Sequence, residues 1–446
     1  MIALSTARPQ VSRLTVAAAA VVCAVPVAAA VVMEGGRSPR NAVLFLLGAA
    51  LAGAGFVSAR LSIALTVATF FFWALLRRLL PAAEPSVDPA AIVPYLVAVP
   101  LAVRGLRVAK PVAVVALIGW ATLTAVASFR PVIGLAGWLN FVLPLLVAFA
   151  VCSIPSGSAV LARWTVACGS LAAGYGIVQY FVPFRWDVEW LTRADFVSVG
   201  AFGKATFRPF ATLPAPGTAS VLVALVLLLL LFRRDLFDPS PPVRAWALAV
   251  STLFLLLDQV RTAWIAFALA AVLGVLSRRG QSALRIAVCI AVAVVAMSLA
   301  PQASIVAKRA QTLTSLDSDA SFRGRVAFLR GATQLVTPVG TGLGTRSSAS
   351  RAEGDQSIDG GFLVVLAETG VVGLGLLIWV LAYAARHWRP FDRPFFGFLI
   401  VSSFAGYMFG GLSGVLLWSL CGVTAEVSPS GGRPFQPTGA KVPDDR

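Results

Sequence analysis

The chain is a succession of long apolar runs separated by short, mostly basic connections. Runs near 14–33, 42–58, 61–76, 90–103, 111–128, 131–152 and 164–182 precede a polar stretch, and runs at 217–232, 244–257, 262–277 and 285–300 follow it. A second long polar stretch covers 301–358, and apolar sequence resumes at 361–385 and 394–424. The last run is long enough for two short helices with a break near Gly410-Gly411. Such runs read as membrane helices, because a hydrocarbon core takes about 20 apolar residues of helix to cross. The alternation of a transmembrane β-barrel is absent from the sequence. The pattern predicts an all-α, polytopic integral membrane protein with about 12–14 transmembrane helices, one large extracytoplasmic loop and one smaller one. The segments are N-terminal helices in 1–182, a first loop at 183–216, helices in 217–300, a large loop at 301–360 and C-terminal helices in 361–424. The tail 425–446 is rich in Pro, Gly and Ser and is expected to be disordered. The first run, 14–33, reads as an uncleaved helix and not as a signal peptide, because so many spans follow it.

Composition removes other classes. Of the 446 residues, 58% are hydrophobic and only 12% charged, against about 25% charge in an ordinary soluble domain. The net charge is +17, from 36 Lys and Arg against 19 Asp and Glu. In a soluble protein that balance points to nucleic acid; in this chain the positive-inside rule accounts for it and no nucleic-acid partner is expected. With a cytoplasmic N-terminus, compact basic clusters fall in cytoplasmic loops: Arg104, Arg107 and Lys110; Arg233, Arg234 and Arg244; Arg278, Arg279 and Arg285; Arg386, His387, Arg389 and Arg393. The same alternation puts 183–216 and 301–358 on the outer face. The five cysteines show no metal or disulfide spacing and read as small core residues. His387 is the only histidine, so a His-dependent catalytic or metal site is not expected.

A transporter puts polar residues inside its spans, whereas this chain puts most of them in two outer loops beside the span ends. Three places stand out. In Asp258-Gln259-Val260-Arg261-Thr262-Ala263-Trp264, between two apolar runs, Arg261 reads either as an i,i+3 partner of Asp258 in an interfacial turn or as a cation held at the membrane rim for an anionic headgroup. In Ser321-Phe322-Arg323-Gly324-Arg325, Arg323 and Arg325 sit on a loosely amphipathic stretch followed by Pro338 and Gly340, Gly342 and Gly344. This reads either as a solvated basic face or as a guanidinium clamp on a diphosphate, whose oxygens match the planar fork. At Ile358-Asp359-Gly360-Gly361, Asp359 stands where the long loop enters a span, as an N-cap that can also serve as a base, and Glu368 lies further in.

These places, in this order, resemble the O-antigen ligase and O-antigen polymerase superfamily of multi-span glycosyltransferases. Gln-Val-Arg261-Thr-Ala-Trp looks like its Arg at the start of a span. Arg325 followed by Pro338-Val-Gly-Thr-Gly-Leu-Gly is similar to its periplasmic-loop Arg before a Pro–x–x–Gly–x–Gly-like turn. Asp359-Gly-Gly-Phe-Leu and Glu368-Thr-Gly-Val-Val-Gly occupy the places of its His-Asn-x-Tyr/Phe-Leu helix start and Glu–x–Gly–x–x–Gly-like run, and Phe207-Arg208-Pro209-Phe210 looks like its earlier Arg-containing loop. Asp359 replaces the family's His, which turns the resemblance from the ligase toward the polymerase branch.

The resemblance implies cofactor-free, metal-independent glycosyl transfer at the outer face of a bacterial cytoplasmic membrane. Its donor would be an undecaprenyl-diphosphate-linked glycan and its acceptor a second glycan, with other polysaccharide assembly proteins as further partners. It makes Arg261 and Arg325 the stabilisers of the departing diphosphate, Asp359 the base, and Arg208, Arg323 and Glu368 substrate-binding residues. The rival readings are a flippase or transporter of lipid-linked glycans and a non-catalytic member of an assembly complex.

Overall fold

The computed structural model describes residues 39–80, 88–194, 199–204, 207–277, 336–346, 360–387, 389 and 392–421. Among them are thirteen α-helices and no strand. In chain order they are α1 (Pro39–Val57), α2 (Ala59–Leu79), α3 (Val93–Val108), α4 (Val112–Ala127), α5 (Pro131–Ser153), α6 (Gly157–Phe181) and α7 (Arg185–Ala194). Then come α8 (Pro216–Phe232), α9 (Pro241–Asp258), α10 (Arg261–Ser277), α11 (Gly361–Arg386), α12 (Arg393–Ala405) and α13 (Gly411–Leu420). Six segments are long and apolar enough to cross a membrane: α1, α2, α3 with the 3-10 turn before it, α5, α9 and α11. A seventh is α6, which bends by 85° into the short helix α7. The protein is an all-α, multi-pass membrane protein. The runs at 14–33 and 285–300, the Arg278–Arg285 cluster and the tail 425–446 lie outside the described residues.

Burial explains how the bundle is organised. α8 is apolar on every side, and from Ala219 to Phe232 every residue is buried. The second half of α5, from Phe141 to Cys152, is buried in the same way. Helices without a polar face belong at the centre of a bundle, and α5 and α8 share the main core with α2, α3, α12 and α13. α1 and α4 face outward with Val43, Val57, Val115 and Leu123 exposed, as expected of surfaces against lipid. The described cysteines Cys152, Cys168 and Cys421 are buried thiols, none of them in a disulfide.

Chain reversals sort the connections into two ends. At the upper end, Arg40 and Arg77 both bind Asp88, at 2.9 and 2.7 Å, and Arg78 binds Asp187 at 2.8 Å. Burial alone would lift the Asp88 carboxyl, but the two guanidiniums outweigh it and hold the group below the usual carboxylate range. At the lower end, Arg233 reaches Asp392 at 3.4 Å, and the Cys152 thiol lies 3.6 Å from the Ser419 carbonyl. The described members of the basic clusters, from Arg104 to Arg393, follow the helix ends that alternation assigns to this lower end.

Two elements depart from simple spans. α12 and α13 have 13 and 10 residues, about 20 and 15 Å of helix against a core of about 30 Å. They form a hairpin rising from the lower end, and Gly410, at the end of its turn 406–410, lies beside Asn140, nine residues into α5. Gly410 therefore sits roughly 13 Å below the upper end of α5, while Gly406 reaches the start of α11. The second departure is inside α11, where Gly370 has φ 72° and ψ −172° and interrupts a run that reads as one continuous helix.

A topology test follows. Single cysteines replacing exposed Lys204 and Ser240, in a chain lacking its native cysteines, are expected to react with an impermeant maleimide from opposite sides of the membrane. Labelling of both from one side would overturn the alternation.

Candidate functional site

The first loop is held in place from beneath. Arg78, at the end of α2, is fully buried, donates to the Ala211 carbonyl at 2.6 Å and lies over the Phe210 ring, 4.7 Å from its centroid. From α6, Gln179 Oε1 accepts the Phe210 and Ala211 amides, each at 3.0 Å. Ala211 is thereby kept at φ 53°, a left-handed conformation that costs a non-glycine residue about 1–2 kcal/mol. Phe207 and Phe210 anchor the segment in an aromatic cluster with Tyr180 and Trp190, while half-buried Arg208 lies between them and donates its amide to Val199. Outlying backbone conformations persist only where their surroundings over-determine them. Here three side-chain hydrogen bonds and two buried rings do so.

Arg208 meets the turn between α9 and α10. Asp258, the last residue of α9, is completely buried; its Oδ2 accepts the Ser220 hydroxyl from α8, and Arg208 acts on it electrostatically. Gln259 follows at φ 57°, and the chain reverses so tightly that Trp264 Nε1 reaches back to the Leu255 carbonyl at 2.8 Å. Arg261 is half-buried in the first turn of α10. The i,i+3 reading expected Arg261 to be the charge beside Asp258; the cation that acts on Asp258 is instead Arg208, from a loop 50 residues away. A cation in the first turn of a helix works against the helix dipole, while an anion there is favoured by both the dipole and the guanidinium. Two arginines and a helix N-terminus thus gather around one end of α9 and α10.

The broken helix carries the third group. Segment 337–346 enters the break at Gly370: Val371 and Val372 donate amides to the Thr337 and Pro338 carbonyls, and Thr341 and Gly342 donate theirs to Ala367 and Glu368. Trp120 Nε1 donates to the Thr369 carbonyl at 2.8 Å. Trp120 lies seven residues below the upper end of α4, so the break is roughly 10 Å deep. Gly370 and Gly340 pass backbone to backbone: a Cβ on Gly340 would stand 2.5 Å from the Glu368 carbonyl carbon and 2.6 Å from the Gly370 nitrogen. Glu368 is buried, and its Oε1 accepts the Arg346 amide at 2.8 Å. It also acts electrostatically on Tyr407 in the hairpin turn, close to where Tyr95 donates to Asn140 at 2.8 Å.

Of the residues expected to act, Arg208 and Arg261 come to neighbouring places, and Glu368 lies at the same end of the bundle. Arg323, Arg325 and Asp359 lie outside the described residues. Sequence reasoning missed Arg78, Gln179 and Ser220, whose polar side chains in apolar runs signal only that a partner exists, not which. No protein-family profile and no curated protein sequence matches the chain.

Arg78→Ala would leave Asp187 charged and buried, a loss of about 3–5 kcal/mol for a broken buried pair. A clear fall in the unfolding temperature of the purified protein is expected, with none for Arg185→Ala, whose ion pair is solvent-exposed. Equal transitions for the two variants would show that Arg78 does not hold the loop.

Proposed function

We propose that the protein is a membrane glycosyltransferase. It polymerises or transfers undecaprenyl-diphosphate-linked oligosaccharide in surface polysaccharide assembly, with its upper end at the outer face of the bacterial cytoplasmic membrane. The observation that carries this reading is the convergence of Arg208 with the Asp258–Arg261 turn, which sets two guanidiniums and a helix N-terminus at the rim of the bundle. That is a place for a lipid-borne anion, and a diphosphate offers guanidinium forks matched oxygens.

In the proposed reaction an acceptor hydroxyl attacks the anomeric carbon of the donor. The bond from that carbon to the diphosphate oxygen breaks, the leaving diphosphate keeps the electron pair, and the hydroxyl proton passes to a base. Negative charge grows on the leaving group in the transition state, so arginines aimed there lower the barrier more than they tighten ground-state binding. Asp359 remains the candidate base from the sequence. Its ordinary pKa of about 3.9 makes it a weak one unless its surroundings raise it.

The rival transporter reading gains one observation, since interrupted helices and half-length hairpins mark the binding regions of several transporters. The two differ in their product: a transporter moves the lipid-linked glycan without forming a glycosidic bond.

In purified protein given lipid-linked glycan, Arg208→Ala and Arg261→Ala are expected to lower the rate of new linkage formation by about 10²–10³. Lys is expected to rescue either position poorly, because it lacks the fork. Full activity in both Ala variants would remove the diphosphate clamp. Translocation of intact donor across a vesicle membrane, with no new linkage, would establish the transporter instead. Asp359→Asn is expected to keep the fold, because Asn caps helices as well as Asp does. It should lose about 10²–10⁴ in rate, and wild-type yield from it would reduce Asp359 to a cap.

A further inference from the structure

Segment 337–346 is irregular backbone that enters α11 at a break roughly 10 Å below the end of the bundle, a depth where every amide and carbonyl needs a protein partner or a water-lined cavity. Its two ends are held differently. The first half is tied backbone to backbone: the Thr337 and Pro338 carbonyls take the Val371 and Val372 amides, and the Thr341 and Gly342 amides go to Ala367 and Glu368. These bonds exist because Gly370 opens α11 and frees groups that a continuous helix would use internally. Beyond Gly342 the Leu343 amide turns to the Thr124 carbonyl of α4 at 3.3 Å, and the next link to α11 is a side chain. The Glu368 carboxylate takes the Arg346 amide at 2.8 Å, 22 residues away in sequence. Between the two anchors the loop folds on itself through Thr345, which donates its hydroxyl to the Gly342 carbonyl at 2.7 Å and lies 2.7 Å from the Thr341 hydroxyl.

We infer that Glu368 is a positioning residue that fastens the second half of this re-entrant segment into the break of α11 and fixes where Arg346 stands at the upper end. An acidic residue in an apolar span is costly to bury, and accepting the part-buried Arg346 amide is a role that needs no charge. Gln offers the same carbonyl acceptor at the same reach, and Ala offers none. The inference does not rest on the glycosyltransferase reading, because the contact is internal to the chain and holds whatever the upper end binds.

Hydrogen–deuterium exchange on the full-length protein in lipid nanodiscs tests it, with unfolding temperature as a check that each variant is folded. In Glu368→Ala the Arg346 amide is expected to exchange at least about tenfold faster, the consequence of leaving a part-buried donor without its acceptor. The Val371 and Val372 amides should remain protected, since their carbonyl partners are untouched. Glu368→Gln should restore protection of Arg346 to within about threefold of the parent. Unchanged exchange at Arg346 in the Ala variant would overturn the inference. So would equal loss of protection in the Gln variant, because the charge and not the acceptor would then be what matters. If Ala proves unfolded, the Gln variant decides alone: protection retained supports the role, and protection lost refutes it.

Discussion

Within a membrane an unpaired backbone amide or carbonyl costs several kcal/mol, and that single constraint dictates where this chain is allowed to be irregular. The interruption of α11 at Gly370 is tolerated because segment 337–346 supplies carbonyls to the amides beyond the break and takes up carbonyls before it. Neither partner is stable at that depth without the other. The hairpin turn 406–410 obeys the same rule, with the Gly406 carbonyl taking the Gly361 amide at the start of α11. Irregular backbone therefore occurs in interlocked pieces, and these pieces surround Glu368, Tyr407, Tyr95 and Asn140.

The charged groups at the upper end follow a parallel logic with side chains. Arg77 and Arg78 close α2 and are almost completely removed from solvent, which requires partners; Asp88 and Asp187 provide them. Both acids come from connecting segments, so each ion pair also draws a loop onto the bundle. Arg78 does more than neutralise: through the Ala211 carbonyl and the Phe210 ring it shapes the turn that presents Arg208. Arg208 in turn is the cation beside Asp258. A buried arginine that never reaches the rim thus sets the position of one that does.

The helical, multi-pass architecture was legible because apolar runs of span length carry a strong and redundant signal, and α8, apolar on every face, takes the centre as its composition requires. The two-helix reading of the last run succeeded for a local reason, two glycines in a turn between apolar segments. The break at Gly370 was illegible for the opposite reason. A glycine inside an apolar run reads as a tolerated helix residue, and only the distant segment 337–346 makes it an interruption. Asp258 shows the same limit: proximity in sequence favoured Arg261, whereas tertiary packing supplied Ser220, 38 residues away, and Arg208, 50 residues away. Glu368 stood out as an acid in a span, but spacing could not reveal that its carboxylate faces the Arg346 amide.

Arg261 is where this architecture bears most directly on the proposed lipid-borne anion. A guanidinium in the first turn of α10 opposes the helix dipole by about 0.3–1 kcal/mol, a cost that its other contacts have to offset. The neighbouring Asp258 would offset that cost if it faced Arg261, yet its carboxylate accepts the Ser220 hydroxyl and answers to Arg208. The acid nearest in sequence is thus turned inward, toward α8 and the first loop. Arg208, Arg261 and the amides at the start of α10 stand together at this rim. The lipid-borne anion proposed above would meet both arginines at that place, where the dipole of α10 favours negative charge.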